Sequence, residues 1–333
     1  MTDREAPVLQ VRGLSVRYER DAGPVPVLEG VDLTVRAGQS HGIVGESGSG
    51  KSVLLRAVLR LLEPPWRVTA GQVLLRGEDL LREPEHRLER VRGRVIALTL
   101  SNPRQHLNPV MAVGRQIATV IRKHQSVSKP AATRQAIDLL RAVGIPDPAH
   151  RYHAYPHELS GGMCQRIIIA MGIANAPELI LADEPTSGLD VTISIQILDL
   201  MKQSVERLHS ALLLVSRDLG VIANYCQRVA VMYAGEVVEE ADVLAFFDRP
   251  VHPYSRHLVR AAEAARDAGA GGAAAAPARG ASARAATGCR YAARCPVALD
   301  ACRERPIPLE AVRGGHPVRC IRQREILAGE LRP

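Results

Sequence analysis

The octapeptide Gly45-Glu46-Ser47-Gly48-Ser49-Gly50-Lys51-Ser52 constrains this chain more than any other feature. It fits the pattern G-x-x-x-x-G-K-[ST], and its flanks fit as well. His41-Gly42-Ile43-Val44 is a short, mostly apolar run with a β-branched pair, as a buried strand requires. Val53 to Leu62 has the length and apolar spacing of a helix. A loop between strand and helix aims successive backbone N–H groups, and a helix N-terminus, at one anion. Glycines at 45, 48 and 50 permit backbone angles and a close approach that a side chain would block. Lys51 is then expected to reach the β- and γ-phosphates of a nucleotide and the Ser52 hydroxyl to ligate Mg²⁺, with Ser47 and Ser49 completing the loop.

Leu179 to Asp183 reads as a second apolar strand, ending in Asp183-Glu184. A carboxylate at the C-terminal end of a parallel strand lies where ligand crevices form. Asp183 is expected to hold Mg²⁺, directly or through water, and Glu184 to polarise an attacking water as general base. Adjacent acids can also mark no more than a solvated strand end; the apolar run before them argues for the functional reading.

Leu159-Ser160-Gly161-Gly162 resembles the signature motif of ATP-binding cassette (ABC) proteins. In that family the serine and glycines contact the γ-phosphate of an ATP held by the opposing subunit, so the resemblance implies that role for Ser160, Gly161 and Gly162. Ser160 can also cap a helix beginning near Gly161, whose N-terminus presents free N–H groups to an anion. Tyr18 matches the aromatic that stacks on adenine, although a strand tyrosine would look the same. Ser187-Gly188-Leu189-Asp190 is similar to the loop that crosses the dimer interface, which brings in Asp190.

The fold implied is α/β, a P-loop NTPase of the ABC nucleotide-binding type. It combines a RecA-like α/β core, an antiparallel β subdomain, a helical signature subdomain near 104–165 and a small cysteine-rich C-terminal extension. Residues 7–40 read as short alternating strands, with Gly30 and Gly38 as punctuation. Residues 111–158 and 191–208 read as amphipathic helices, and 228–240 as a closing strand pair. The expected division is an ATPase domain over 1–260, an Ala/Gly-rich linker over 261–288 and a cysteine-rich domain over 289–333. Leu107-Asn108-Pro109, Tyr155-Pro156-His157-Glu158 and His252-Pro253-Tyr254 resemble the oligopeptide/dipeptide importer branch, whose relatives also import nickel or other small solutes.

Two positions depart from the family pattern. Where the family has a glutamine that touches Mg²⁺ and the attacking water, this chain has Ser101, with Gln105 four residues on. After the strand Ala211-Leu212-Leu213-Leu214-Val215 the family has Thr-His-Asp, whereas this chain has Ser216-Arg217-Asp218. Arg217 can fork onto phosphate oxygens, but it cannot shuttle a proton near neutral pH as imidazole can. Both changes fall on parts that position water. One reading is drift with activity retained. The other is a site that binds ATP and hydrolyses it slowly, paired with a competent site on a distinct ATPase partner in a heterodimer.

Four of the six cysteines, Cys289, Cys295, Cys302 and Cys320, crowd into the tail, separated by five, six and seventeen residues. The reducing cytoplasm disfavours disulfides, and this spacing lacks the close cysteine pairs of zinc sites. Relatives of the importer type carry a similar tail, and the resemblance implies a [4Fe–4S] cluster, with zinc or unliganded thiols as alternatives. Cys164 and Cys226 stand alone and read as packed residues.

No apolar run of eighteen residues occurs in the 333, and Met1 to Ala6 lacks the core of a signal peptide. A cytoplasmic protein, peripheral on the inner membrane face, is expected. The net charge of +8 suits an anionic membrane or acidic partner loops as well as a plain solvated face. Nucleic acid is not indicated, because no basic stretch interleaves stacking aromatics.

The function implied is the energy-coupling subunit of an ABC importer, driven by ATP. Its expected partners are a second ATPase subunit, two transmembrane permease subunits and, indirectly, an extracytoplasmic solute-binding protein. A groove near residues 99–112 would receive a permease helix. The alternatives are a soluble ABC ATPase acting on ribosomes or DNA, and a metal- or redox-sensing protein whose ATPase is secondary.

Overall fold

Two strands of twelve residues open the chain where short ones are expected: β1 (Pro7–Tyr18) and β2 (Val25–Arg36). Gly30 does not break β2, because neighbouring side chains accept the N–H groups that the irregular ladder leaves over. Gly30 N–H donates to Ser15 Oγ at 3.0 Å, and Gly13 N–H donates to Asp32 Oδ1 at 2.8 Å. The remaining strands follow in chain order as β3 (Ser40–Val44), β4 (Trp66–Leu75), β5 (Glu78–Asp79), β6 (Ile96–Thr99), β7 (Leu179–Asp183) and β8 (Ala211–Val215). The last four are β9 (Arg228–Tyr233), β10 (Glu236–Asp242), β11 (Glu310–Val312) and β12 (His316–Val318). The computed structural model describes residues 6–267, 287–312 and 316–331.

The chain forms two compact units. The first is built mainly from Arg82–Leu213. In it β6 and β7 run parallel, with Ile96 opposite Leu179 and Thr99 opposite Ala182. All five residues of β7 are buried, so its unbroken apolar sequence suits a strand covered on both faces. The helices Val113–His124 and Lys129–Ala142 occupy the region 111–158 read as helical, and Gly161–Ile173 begins where Ser160 was expected to cap a helix. The first buries Val113, Ile117 and Ile121, spaced for one helical face. Val191–Leu208 forms the amphipathic helix its sequence indicates.

The second unit contains Leu9–Thr34, Ser40–Leu81 and the chain from Leu214 onward. One sheet has the order β2-β1-β4-β5, and β1 pairs with β4 antiparallel from Leu9–Leu75 to Tyr18–Trp66. A second sheet joins β3 to β9 in parallel, from His41–Arg228 to Val44–Val231. It continues antiparallel through β10, β12 and β11. The cysteine-rich tail therefore adds strands to the sheet that carries the phosphate loop. The helix read over 53–62 runs instead from Lys51 to Val58. It starts early because Gly50, at φ 100°, is its N-cap, and it stops where Arg60 turns left-handed at φ 50°. Leu61 N–H then donates to the Arg56 carbonyl at 2.9 Å, a closure that ends helices. The helix Pro253–Asp267 enters the region read as linker. Of that region, 268–286 lies outside the described residues.

Candidate functional site

The phosphate loop is shaped by glycines where no other residue fits. A Cβ on Gly45 would lie 2.1 Å from the Met232 carbonyl oxygen, and one on Gly50 would lie 2.6 Å from Leu28 Cδ2. Lys51 is buried, and its ammonium donates to the carbonyls of Gly45 and Glu46 at 2.7 and 2.8 Å and to Ser49 Oγ at 3.2 Å. The lysine thus curls back over its own loop, leaving Ser47 and Gly48 exposed at the tip and Ser52 half-buried in the first helical turn. Such a concave array, with a cation inside it and a helix N-terminus behind, suits a polyphosphate. In the same unit Ser216 is buried and its hydroxyl accepts from Asp218 N–H at 3.0 Å. Asp218 Oδ1 accepts from Gly220 N–H at 2.7 Å and caps the helix Leu219–Tyr225; Arg217 and Asp218 are both exposed.

Tyr18 is half-buried at the end of β1. Its ring meets Trp66 edge-on at 4.8 Å, and the Arg20 guanidinium stands 5.4 Å over it. Sequence reading missed Trp66, which the register places opposite Tyr18.

In the first unit Asp183 ends β7, buried, and Glu184 follows at φ 45°. A non-glycine residue in the left-handed region is strained, and such strain gathers at sites where a side chain must be aimed. Ser187 N–H donates to the Glu184 carbonyl at 3.0 Å and closes the turn. Asp190 Oδ1 accepts from Ile193 N–H at 2.9 Å and caps the helix Val191–Leu208. Ser160 is exposed and caps the helix Gly161–Ile173, its Oγ accepting from Met163 N–H at 3.2 Å. Signature and interface loop touch within this unit. A Cβ on Gly162 would come within 2.8 Å of Ile193 Cγ2, and one on Gly161 within 3.6 Å of Leu189 Cδ2.

Ser101 is half-buried after β6, followed by Asn102 at φ 57°. Gln105 is exposed on the short helix Pro103–His106, whose Arg104 donates to the Leu159 carbonyl at 2.9 Å, next to Ser160. Gln116, buried on a helix, was missed by sequence reading. Its amide donates to the carbonyls of Asn108 and Met111 at 3.0 and 2.7 Å and accepts from Asn108 N–H at 2.9 Å, fixing the loop 108–111. A lone polar residue on an apolar helical face was the available signal.

Cys289, Cys295, Cys302 and Cys320 line one cavity of the second unit, together with His252 and Tyr291. Burial pushes the Cys289 thiol up to about 11 and that of Cys320 to about 12. His252 is buried, and its Nδ1 accepts from Tyr254 N–H at 3.1 Å. Its Nε2 has no hydrogen-bond partner among the described residues. Four sulfur atoms and one orphaned buried N–H thus border the cavity. No three cysteine, histidine or acidic side chains among the described residues are gathered as ligands of one metal ion. Cys164 and Cys226 are buried, and burial raises both thiols, Cys226 to about 12.

The profile of the ABC transporter family matches residues 28–187, which span the phosphate loop, the signature and the Asp183-Glu184 strand end. The chain is 42% identical over 322 residues to a probable peptide ABC transporter ATP-binding protein of Sinorhizobium fredii, covering 96% of each chain. This protein belongs to the ABC transporter ATP-binding family. A second profile, described as the oligopeptide/dipeptide transporter C-terminal region, matches residues 238–302. The dipeptide transport ATP-binding protein of Escherichia coli is 41% identical over 314 residues, 94% of this chain and 96% of that one. Among solved structures, the dimeric ATP-binding cassette MJ0796 in a post-hydrolysis state with ADP and Pi aligns at a TM-score of 0.64. That match has 25% identity and covers 71% of this chain and 98% of the cassette. The fold is that of an ABC nucleotide-binding domain, and the chain is an ATP-hydrolysing ABC subunit. Among the described residues no helix is long and apolar enough to cross a membrane.

Proposed function

We propose that this ABC ATPase powers uptake of peptides as the ATP-binding subunit of an importer. The supporting observation is full-length similarity to proteins named for peptide and dipeptide transport, which extends into the profile of the importer's C-terminal region. ATP is held by the loop Gly45–Ser52, with Ser52 and Asp183 as Mg²⁺ ligands and Glu184 as general base. Mg²⁺ supplies charge neutralisation at the β- and γ-phosphates. Tyr18 faces adenine, while Ser160, Gly161, Gly162 and Asp190 serve the site of the opposing ATPase subunit. Two permease subunits receive the motion. Val110, 83% exposed on the loop held by Gln116, supports a permease contact there. The solute-binding protein acts through the permeases, and the subunit works on the cytoplasmic face of the membrane.

The partner ATPase in this reading is a related but distinct chain. Ser101 and Arg217 replace the water-positioning glutamine and histidine, so this chain's own site turns over slowly while its intact signature completes a competent site on the partner. Its domains are an ATPase domain, a linker and a cysteine-rich tail that holds a [4Fe–4S] cluster. Four thiols lining one cavity support this reading, and zinc is the alternative.

The test is steady-state ATPase activity of the assembled transporter carrying Glu184→Gln in this chain alone. Turnover within about twofold of wild type supports a slow own site. Collapse of turnover shows that the site is competent despite Ser101 and Arg217. In the complementary variant, Ser101→Gln with Arg217→His, a slow site predicts a gain of at most about twofold, because a second site joins the first.

A further inference from the structure

Arg294 belongs to the tail, between Cys289 and Cys295, yet its guanidinium closes on the phosphate loop. Nη1 and Nη2 donate to the two carboxylate oxygens of Glu46 at 2.9 and 3.0 Å, and Nη1 also reaches Tyr233 Oη at 3.4 Å. The guanidinium stands 5.7 Å from the Tyr233 ring centre and 5.6 Å from that of Tyr291. A two-pronged pair fixes distance and angle together, and the flanking rings restrict it further.

Glu46 is gripped a second time through its backbone. Its N–H donates to the hydroxyl of Tyr254 at 2.9 Å, and Tyr254 is fully buried on the helix Pro253–Asp267. On the far side of the loop the Ser49 carbonyl accepts from Gly235 N–H at 3.0 Å, at the turn between β9 and β10. That turn is braced by the same tail segment. Arg290 pairs with Glu29, whose N–H donates to the Gly235 carbonyl, and lies 3.7 Å from Glu236. Both arginines between the first two tail cysteines therefore bear on the phosphate loop, one directly and one through the turn beneath it.

We propose that Arg294 is a positioning residue for nucleotide binding, setting the phosphate loop through Glu46 and making ATP affinity depend on an intact cysteine-rich tail. The inference rests on the reading of Gly45–Ser52 as the ATP site. Two effects act together. The fork and the Tyr254 contact hold the loop open in its binding shape, so less ordering is left for ATP to impose. The guanidinium also offsets a carboxylate that stands in a loop meant for a polyanion.

The test is calorimetric titration of the full-length chain with MgATP, alongside its thermal midpoint. Arg294→Gln is expected to weaken ATP binding about tenfold, with Arg294→Lys intermediate because it keeps the charge but loses the fork. Glu46→Gln should weaken binding less, since it removes the grip and the misplaced charge together. Glu46→Gln with Arg294→Gln should fall short of the two losses summed, as coupled partners do. A lowered thermal midpoint with unchanged affinity in Arg294→Gln, or strict additivity of the pair, overturns the proposal. Should Arg294→Gln fail to fold, Arg294→Lys and Glu46→Gln decide the matter by the same criteria. Lys51→Ala separates the two levels. If it binds ATP as the wild type does, the site assignment itself is wrong; if it loses ATP while Arg294→Gln does not, only the positioning role fails.

Discussion

Glu239 and His316 meet at 2.7 Å, the ring Nε2 donating to a carboxylate with no exposed surface. The same carboxylate accepts from Val251 N–H at 2.8 Å and from His252 N–H at 2.7 Å. One buried charge thus ties β10 to the tail and to the start of the helix that carries Tyr254. Glu239→Gln turns an amide N–H toward donors and should destabilise the chain by about 2–4 kcal/mol. Urea unfolding followed by fluorescence measures this, and an unchanged midpoint would count against the tie.

Two buried histidines set an acid limit. Burial, helped by Arg228, lowers His41 to about 3, against the opposing pull of the Thr34 backbone. Glu240 lies 4.0 Å from the same ring. Burial lowers His252 to about 4 despite the opposing pull of Glu239, with Arg319 adding to the fall. Their usual value is 6.5, so between that pH and 3–4 the unfolded chain binds protons that the folded chain refuses. The stability these groups contribute is present above about 6.5 and is lost as pH falls toward 4 and 3, by up to about 1.4 kcal/mol per unit for each ring. In urea titrations from pH 7 to 4, His41→Leu should lose stability less steeply than wild type. Parallel slopes would refute the assignment.

Ser160 has a cap to make and, in the proposed function, a phosphate to meet. Ser160→Ala should cost about 1 kcal/mol through the lost bond to Met163 N–H. Ser160→Asp keeps a capping oxygen but sets a negative charge where an anion is to bind. Wild-type thermal stability with abolished transporter ATPase is expected of the aspartate variant. Full activity in that variant would remove Ser160 from the phosphate contact.

The tail can be assayed directly. Chain purified without oxygen should carry iron and acid-labile sulfide in equal amounts, and Cys302→Ser should lose both. Stoichiometric zinc without sulfide would replace the cluster by a single ion, and absence of both metals would leave four unliganded thiols.

Much of this was legible from local sequence because its causes are local. Ser160 and Asp190 cap the helices that follow them, three residues from the N–H groups they accept. β7 and β8 sit where uninterrupted apolar runs ended, since burial on both faces calls for such runs. The two strands opening the chain came out longer than their glycines suggested. Ser15 and Asp32 accept those N–H groups from across the ladder, fifteen and nineteen residues away, and periodicity within one segment carries no sign of that.

The sequence by itself determined that this chain carries a strand–loop–helix phosphate cradle, a signature helix and an acidic strand end, because each is written within about ten consecutive residues. Tertiary structure alone decided what holds them. Arg294 and Glu46 are 248 residues apart, and their pairing depends on the fold of everything between. The same holds for Trp66 against Tyr18, for the tail strands beside β10, and for four spaced cysteines around one cavity. A side chain's type and its near neighbours set backbone propensity and caps. Which distant group it meets is set by how buried surfaces close on one another, and no local pattern encodes that.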